Sequence, residues 1–269
     1  MVLKEQQPGL MKMIKVSVIT ATYNSESTIH RNIKSVQNQK DVMLEQIFVD
    51  GGSSDNTVGI IGELSSNMSS LIIGQDSGIY DALNIGIEKS SGEFIAILNS
   101  DDFFSNDRVL SDIITVFERD HVDIVYSGIN YVNSKYEVIA EWVPENFSLG
   151  AFSDSWHPPH PGFFVRKDCY EKAGGFDLNF KVAADFELMY RFLEINQFRS
   201  ALFSRVTVNM RNDGYSSFFK SRVRGLLDVR NTFRKHGNKT PLFVIIIKRY
   251  IKKFKRVFVK NWFTKMKKK

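Results

Sequence analysis

Apolar and polar positions along the first hundred residues alternate between two periodicities. Lys15 to Asn24 (KVSVITATYN) is a β-branched, apolar run with polar residues at its end, the pattern of a buried strand that leaves a sheet and enters a loop. From about Ser27 to Gln39, Ile29, Ile33 and Val36 recur at three- and four-residue spacing, which predicts a helix. Glu45 to Asp50 reads as a second strand. The turn-rich Gly51-Gly52-Ser53-Ser54-Asp55 follows, where Ser54 or Asp55 could cap another helix. Two further short apolar strands, Leu71–Ile73 and Phe94–Leu98, flank a helix expected from Ile79 to Glu88. This alternation predicts an α/β fold with a doubly wound, mostly parallel sheet and ligands at the carboxyl ends of its strands.

Past Asp102 the pattern loosens into a helix near Val109 to Glu118, strands at Asp123–Tyr126 and between Tyr131 and Trp142, a strand at Phe163–Val165, and helical spacing from Asp185 to Leu193. These elements predict a mixed second half. With no repeat and no low-complexity linker, residues 1–214 read as one domain (14–104 and 105–214 as its halves), and 215–269 as a helical tail.

Composition narrows the class. At 269 residues, 43% apolar and 25% charged, the chain can bury one good-sized core and is neither disordered nor collagen-like. A single cysteine, Cys169, cannot form an intrachain disulfide, which fits a cytosolic setting. MVLKEQQPGLMK lacks the apolar run of a signal peptide, and Met11 and Met13 leave the start open. The net charge of +6 is uneven: 11 of the 36 basic residues and none of the 30 acidic ones lie from Pro241 to Lys269, so the preceding 240 residues carry −5. Nucleic acid is therefore disfavoured as a partner of the body.

Polar clusters sit where strands end. Asp50, Asp76 and Asn99-Ser100-Asp101-Asp102 would converge on one edge of a parallel sheet. Adjacent Asp101 and Asp102 offer the hard oxygen ligands that Mg2+ or Mn2+ prefers, with waters and substrate phosphates completing the shell. In isolation an Asp-Asp pair more often caps a turn or a helix.

The set TATYN, FVDGGSSDNT and QDSGIYDALNIGIEKSSGEFIAILNSDD resembles the family 2 glycosyltransferases over about residues 14 to 104. It is most similar to a bacterial subgroup that assembles O-antigen and other surface polysaccharides. The resemblance implies a GT-A fold and a metal-dependent, sugar-nucleotide-dependent transferase that inverts the anomeric centre. By position, Thr22 and Tyr23 would border the nucleotide, Asp50 would hydrogen-bond the nucleobase, and Asp76 and Tyr80 would line the donor sugar and ribose. Taken singly, Asp81 and Asn84 are as well explained as helix-start residues. The family often has Asp where this chain has Asn99, so Asp101 is the expected metal ligand and Asp102 the second ligand or a donor-sugar contact.

Inversion by direct displacement needs one more carboxylate, to take a proton from the attacking hydroxyl. Asp185, in FKVAADFEL, resembles the family's late acidic motif, and a first-turn helix role is compatible with it. Glu187 and Asp177 are lesser candidates. WHPPHPGFF resembles an acceptor-side loop in which His160, rather than His157, would approach donor phosphate or acceptor; a lone loop histidine can equally be a hydrogen-bonded surface residue. The Q-x-x-R-W element of processive synthases is absent, and no apolar stretch reaches the eighteen or so residues of a membrane span.

In the tail, Ile247, Tyr250, Ile251, Phe254, Val257, Phe258, Trp262 and Met266 recur at helical spacing among lysines and arginines. This basic amphipathic pattern fits docking to an anionic membrane surface; a packed helix or a contact between copies is the other reading. The expectation is a protein peripheral to the inner face of the cell membrane. It would move one hexose or N-acetylhexosamine, UDP-linked, to a polyprenyl-diphosphate-linked glycan. A nucleotidyltransferase would carry a Gly-rich basic phosphate loop near the first strand, which Thr20 to Asn24 is not. A catalytically silent membrane scaffold would have no use for Asp101, Asp102 and Asp185.

Overall fold

The computed structural model describes residues 14–65, 69–74, 76–212, 219–241, 243–244 and 247–248. Four strands run parallel at the start of the chain: β1 (Lys15–Thr22), β2 (Met43–Asp50), β3 (Ser69–Ile73) and β4 (Phe94–Ile97). Their connections carry α1 (Ile29–Gln37), α2 (Thr57–Leu64) and α3 (Ile79–Lys89). Thr22 pairs with Asp50 and Asp50 with Ile73, so three strands end level and their loops open on one sheet edge, as expected.

The second half contributes β5 (Phe103–Phe104), α4 (Val109–Asp120), β6 (Ile124–Val132), β7 (Val138–Trp142), β8 (Phe163–Arg166), α5 (Lys167–Ala173), α6 (Ala184–Tyr190), β9 (Ser200–Arg211) and α7 (Phe219–Lys235). All strands join one sheet in the order β3-β2-β1-β4-β8-β6-β9-β5, with β7 paired to β6. β8 is antiparallel to both β4 and β6, whereas β6 and β9 are parallel. The α/β architecture with a mixed second half is the one the sequence predicts.

Strand alternation sends Val16, Val18, Phe94 and Phe164 to one face, against Val109, Ile113 and Phe117 of α4. Ile19, Ile47, Ile97 and Val165 go to the other, against α3, α5 and α6. β9 is a strand that apolar periodicity does not predict. Thr207 and Asn209 interrupt its pattern, yet they are buried because Thr207 meets the Ser127 hydroxyl at 2.6 Å and Asn209 accepts from Asn130. Helical spacing over 185–193 resolves into α6 and a π-helical turn, Arg191–Ile195.

α7 lies past residue 214, where the sequence reading ends the body, but it packs into that body. Phe233 is fully buried, with its ring 5.9 Å from Phe186 and 5.2 Å from Tyr190. Beyond it, Lys248 pairs with Asp154 at 2.6 Å. The remainder of the expected basic tail, from Arg249 to Lys269, lies outside the described residues.

Candidate functional site

The loops after β1 and β2 are built around Asp50, which is fully buried. Oδ1 accepts from the hydroxyls of Thr22 (2.9 Å) and Ser53 (2.6 Å), and Oδ2 accepts from the amides of Gly52 (3.1 Å) and Ser53 (2.8 Å). Four accepted bonds fill a carboxylate, so Asp50 fixes the Gly52–Ser53 turn. Asn24, at φ 47°, accepts from the Ser54 amide and ties the two loops together. Tyr23 stands on the rim, 65% exposed. Asp76 packs against Gly51: a Cβ added there would come within 2.8 Å of its Oδ2. Its other oxygen accepts from the Gly78 amide.

At the end of β4, Asn99 to Asp102 turn back under α1. Asn32, fully buried on α1, donates to the carbonyls of Leu98, Asn99 and Asp102 and accepts from Gln46 at 2.9 Å. The apolar pattern misses this brace, although a polar residue on the face of Ile29, Ile33 and Val36 is its signal. Asp102 is almost completely buried, and its Oδ1 accepts from the Arg211 amide at 3.1 Å. Burial, and then the neighbouring Asp101 carboxylate, push the Asp102 carboxyl well above its ordinary range.

Asp185 enters the same site from α6. It lies in the first turn, but no side chain caps this helix, which leaves its carboxylate for other partners. Oδ2 is 3.4 Å from His160 Nδ1, and Oδ1 is 3.4 Å from the Tyr80 hydroxyl. Tyr80 donates to the Val182 carbonyl at 2.7 Å and stacks on Phe176. Burial and the Asp185 charge raise its phenol, so it stays a donor. The far side of the His160 ring, Nε2, lies 3.2 Å from the Asn99 amide nitrogen. With that amide donating, Nε2 is the acceptor and the ring proton sits on Nδ1, facing Asp185.

The site thus brings together Asn99, His160, Asp185 and Tyr80 by direct contact, with Asp101 and Asp102 on the same turn as Asn99. Thr22 and Asp50 form the adjoining loop framework. Glu187 and Asp177 are engaged elsewhere: Glu187 is fully buried and accepts from Arg191, Lys235 and His236, and Asp177 pairs with Lys235. Asn84 binds the Phe176 backbone through both its donor and its acceptor.

Among the described residues no three His, Cys, Asp or Glu side chains form a metal cage. Asp101 and Asp102 nevertheless fit an ion that uses one or two carboxylates and completes its shell with phosphates. The buried Asn99 Oδ1 has no hydrogen-bond partner, and Asp102 is a buried acid beside a second one; a cation would relieve both conditions.

Comparison with known proteins bears on the family and the fold. A family model described as "Glycosyl transferase family 2" matches residues 17–164. An uncharacterized glycosyltransferase of Mycobacterium tuberculosis is 32% identical over 180 residues, covering 65% of this chain and 68% of that protein. TarS of S. aureus, solved with UDP-GlcNAc, superposes with a TM-score of 0.62 at 20% identity; the match covers 81% of this chain and 65% of that one, just under two thirds of its length. The mannosyltransferase PcManGT of Pyrobaculum calidifontis, solved with GDP-Man and Mn2+, superposes with a TM-score of 0.65 at 17% identity over 89% of this chain and 69% of its own.

Proposed function

The chain belongs to glycosyl transferase family 2, and on that premise we propose that it transfers a single sugar, with inversion, from a nucleotide sugar to a lipid-linked glycan. The observation that carries the proposal is the contact chain from Asn99 through His160 to Asp185, which puts a carboxylate opposite the acidic turn of β4. In the reaction Asp185 takes the proton of the acceptor hydroxyl as its oxygen bonds to the anomeric carbon. The bond from that carbon to the diphosphate oxygen breaks, and its electron pair leaves with the nucleoside diphosphate. His160 holds the Asp185 carboxylate for this transfer, and Tyr80 steadies it by holding the Val182 carbonyl three residues before it.

A Mn2+ or Mg2+ ion held by Asp101, with Asp102 beside it, would offset charge on the leaving diphosphate. Thr22, Tyr23, Asp50 and Asp76 border the nucleotide. Asp50 shapes the base-binding wall through the turn it holds, and direct contact with the base would exchange one of its four accepted bonds. The UDP-GlcNAc in TarS favours a UDP-linked hexose or N-acetylhexosamine, and the GDP-Man in PcManGT makes GDP-sugars the next class to test. A polyprenyl-diphosphate-linked acceptor, in O-antigen or other surface polysaccharide synthesis at the inner face of the membrane, fits the basic tail. No helix among the described residues is long and apolar enough to cross a membrane.

The test is a screen of purified protein against UDP-, GDP- and dTDP-sugars with and without Mn2+. Release of nucleoside diphosphate that requires the metal is expected with one donor class. Formation of nucleoside triphosphate and sugar 1-phosphate when pyrophosphate is added to the donor would favour a nucleotidyltransferase, and no turnover or binding with any donor would favour a silent scaffold.

A further inference from the structure

We propose that Asp228, on α7, is a positioning residue for Asp185; the proposal rests on the reading of Asp185 as the general base. Asp228 is buried, and its Oδ2 accepts from the amides of Val182 (2.9 Å) and Ala183 (3.1 Å). These are the last two residues before α6. A helix start leaves amides without intrahelical partners, and α6 has no capping side chain of its own. The two amides that lead into the helix are held instead from a different helix, by a carboxylate 45 residues from Ala183 in sequence.

The grip is two-sided. The Val182 amide donates to Asp228 of α7, while its carbonyl accepts from Tyr80 of α3. Past Asp185, Glu187 accepts from Lys235 at 2.8 Å and from His236 at 2.9 Å, at the end of α7. Burial alone would raise the Glu187 carboxyl, but Arg191, Lys235 and His236 more than offset it and hold it below its ordinary range. α7 therefore fixes the backbone immediately before Asp185 and the side chain two residues after it. A base has to be held in its reactive geometry to within a fraction of an ångström, and a misplacement of about 1 Å costs on the order of 100-fold in rate.

The test compares Asp228→Ala, Asp228→Asn and Asp185→Asn. Each is measured for thermal unfolding, for Mn2+-dependent binding of the donor that the screen returns, and for kcat and KM of transfer. Asp228→Ala should fold, keep donor KM and lose about 10- to 100-fold in kcat. Asp228→Asn should recover most of that loss, because its side-chain carbonyl can accept from the same two amides. Folded Asp228→Ala with kcat within twofold of the parent, beside an inactive Asp185→Asn, would overturn the positioning role and leave the base intact. Undiminished transfer by Asp185→Asn would instead overturn the reading beneath it. Should Asp228→Ala not fold, Asp228→Ser carries the same criterion; failure of both to fold would assign Asp228 to folding alone and overturn the proposal.

Discussion

His160 Nδ1 stands 3.4 Å from Asp185 Oδ2, while Nε2 of the same ring stands 3.2 Å from the Asn99 amide. One imidazole thus links the turn after β4 to the first turn of α6. The acidic turn expected to face the departing diphosphate and the carboxylate expected to prime the acceptor are separated by a single side chain.

Asp185→Asn preserves shape and removes the proton-accepting charge. Transfer should fall by about 100- to 10,000-fold in kcat, with donor affinity unchanged. Steady-state kinetics beside calorimetric titration of donor separates the two effects, and a loss that appeared in binding instead would reassign Asp185 to the donor pocket.

Tyr80→Phe keeps the ring against Phe176 and deletes only the hydroxyl that reaches Val182 and Asp185. The orphaned carbonyl should cost about 1 to 2 kcal/mol of stability, read by denaturant unfolding. The kcat loss should be smaller than that of Asp185→Asn, since His160 still holds the other carboxylate oxygen.

The front half was legible because β1, β2 and β4 are buried apolar runs closed by polar turns, and their ends carry the residues a sheet-edge site requires. Asp185 is singled out by its local motif, and the structure sets it beside His160 and Tyr80. The contact of Asn99 with His160 was not, because residues 61 positions apart meet only through the β4–β8 pairing. β9 was hidden by Thr207 and Asn209, polar positions whose partners on β6 a single strand does not display. The packing of α7 into the body, though not its helical form, was hidden by its charge: its arginines and lysines conceal that Thr232 and Phe233 are buried. Asp228 carries no local signal of its role, because the Val182 and Ala183 amides it accepts from lie 46 and 45 positions away.

Removal of divalent metal with EDTA should abolish donor turnover, and Mn2+ or Mg2+ should restore it. Asp101→Asn should raise the metal concentration needed for half-maximal activity by at least tenfold while the protein stays folded. Full activity in EDTA would exclude the ion-assisted departure.

Acid stability should depend on Glu45. Burial alone would raise its carboxyl, but bonds from Lys15, Ser17 and Ser91 bring it to about 2 from an ordinary 4.5. A folded value below the unfolded one stabilises above about pH 4.5, and the effect disappears as pH falls toward 2. Unscreened linkage would give roughly 3.4 kcal/mol, and solvent screening of this partly exposed group reduces the contribution to on the order of 2 kcal/mol or less. Glu45→Gln should lower stability at pH 7 and flatten the decline between pH 5 and 2 in urea melts. An unchanged pH slope would show that the network carries no linkage.

Two truncations separate the two parts of the C-terminal region. Ending the chain at residue 214 removes α7, with Phe233 from the core and the Asp228 and Lys235 contacts from α6. Loss of a buried phenylalanine alone costs about 3 to 5 kcal/mol, so this variant should not fold cooperatively. Ending it at Lys248 leaves that packing intact and removes ten basic residues with Trp262 and Phe263. It should melt like the full chain and no longer sediment with phosphatidylserine vesicles. Each basic group contributes about 1 kcal/mol near an anionic leaflet, so binding of the full chain should also weaken steeply between 50 and 300 mM salt, a range over which the Debye length falls from roughly 14 to 6 Å. Equal sedimentation of the full chain and the shorter one would remove the membrane from the account and leave the basic segment without a partner.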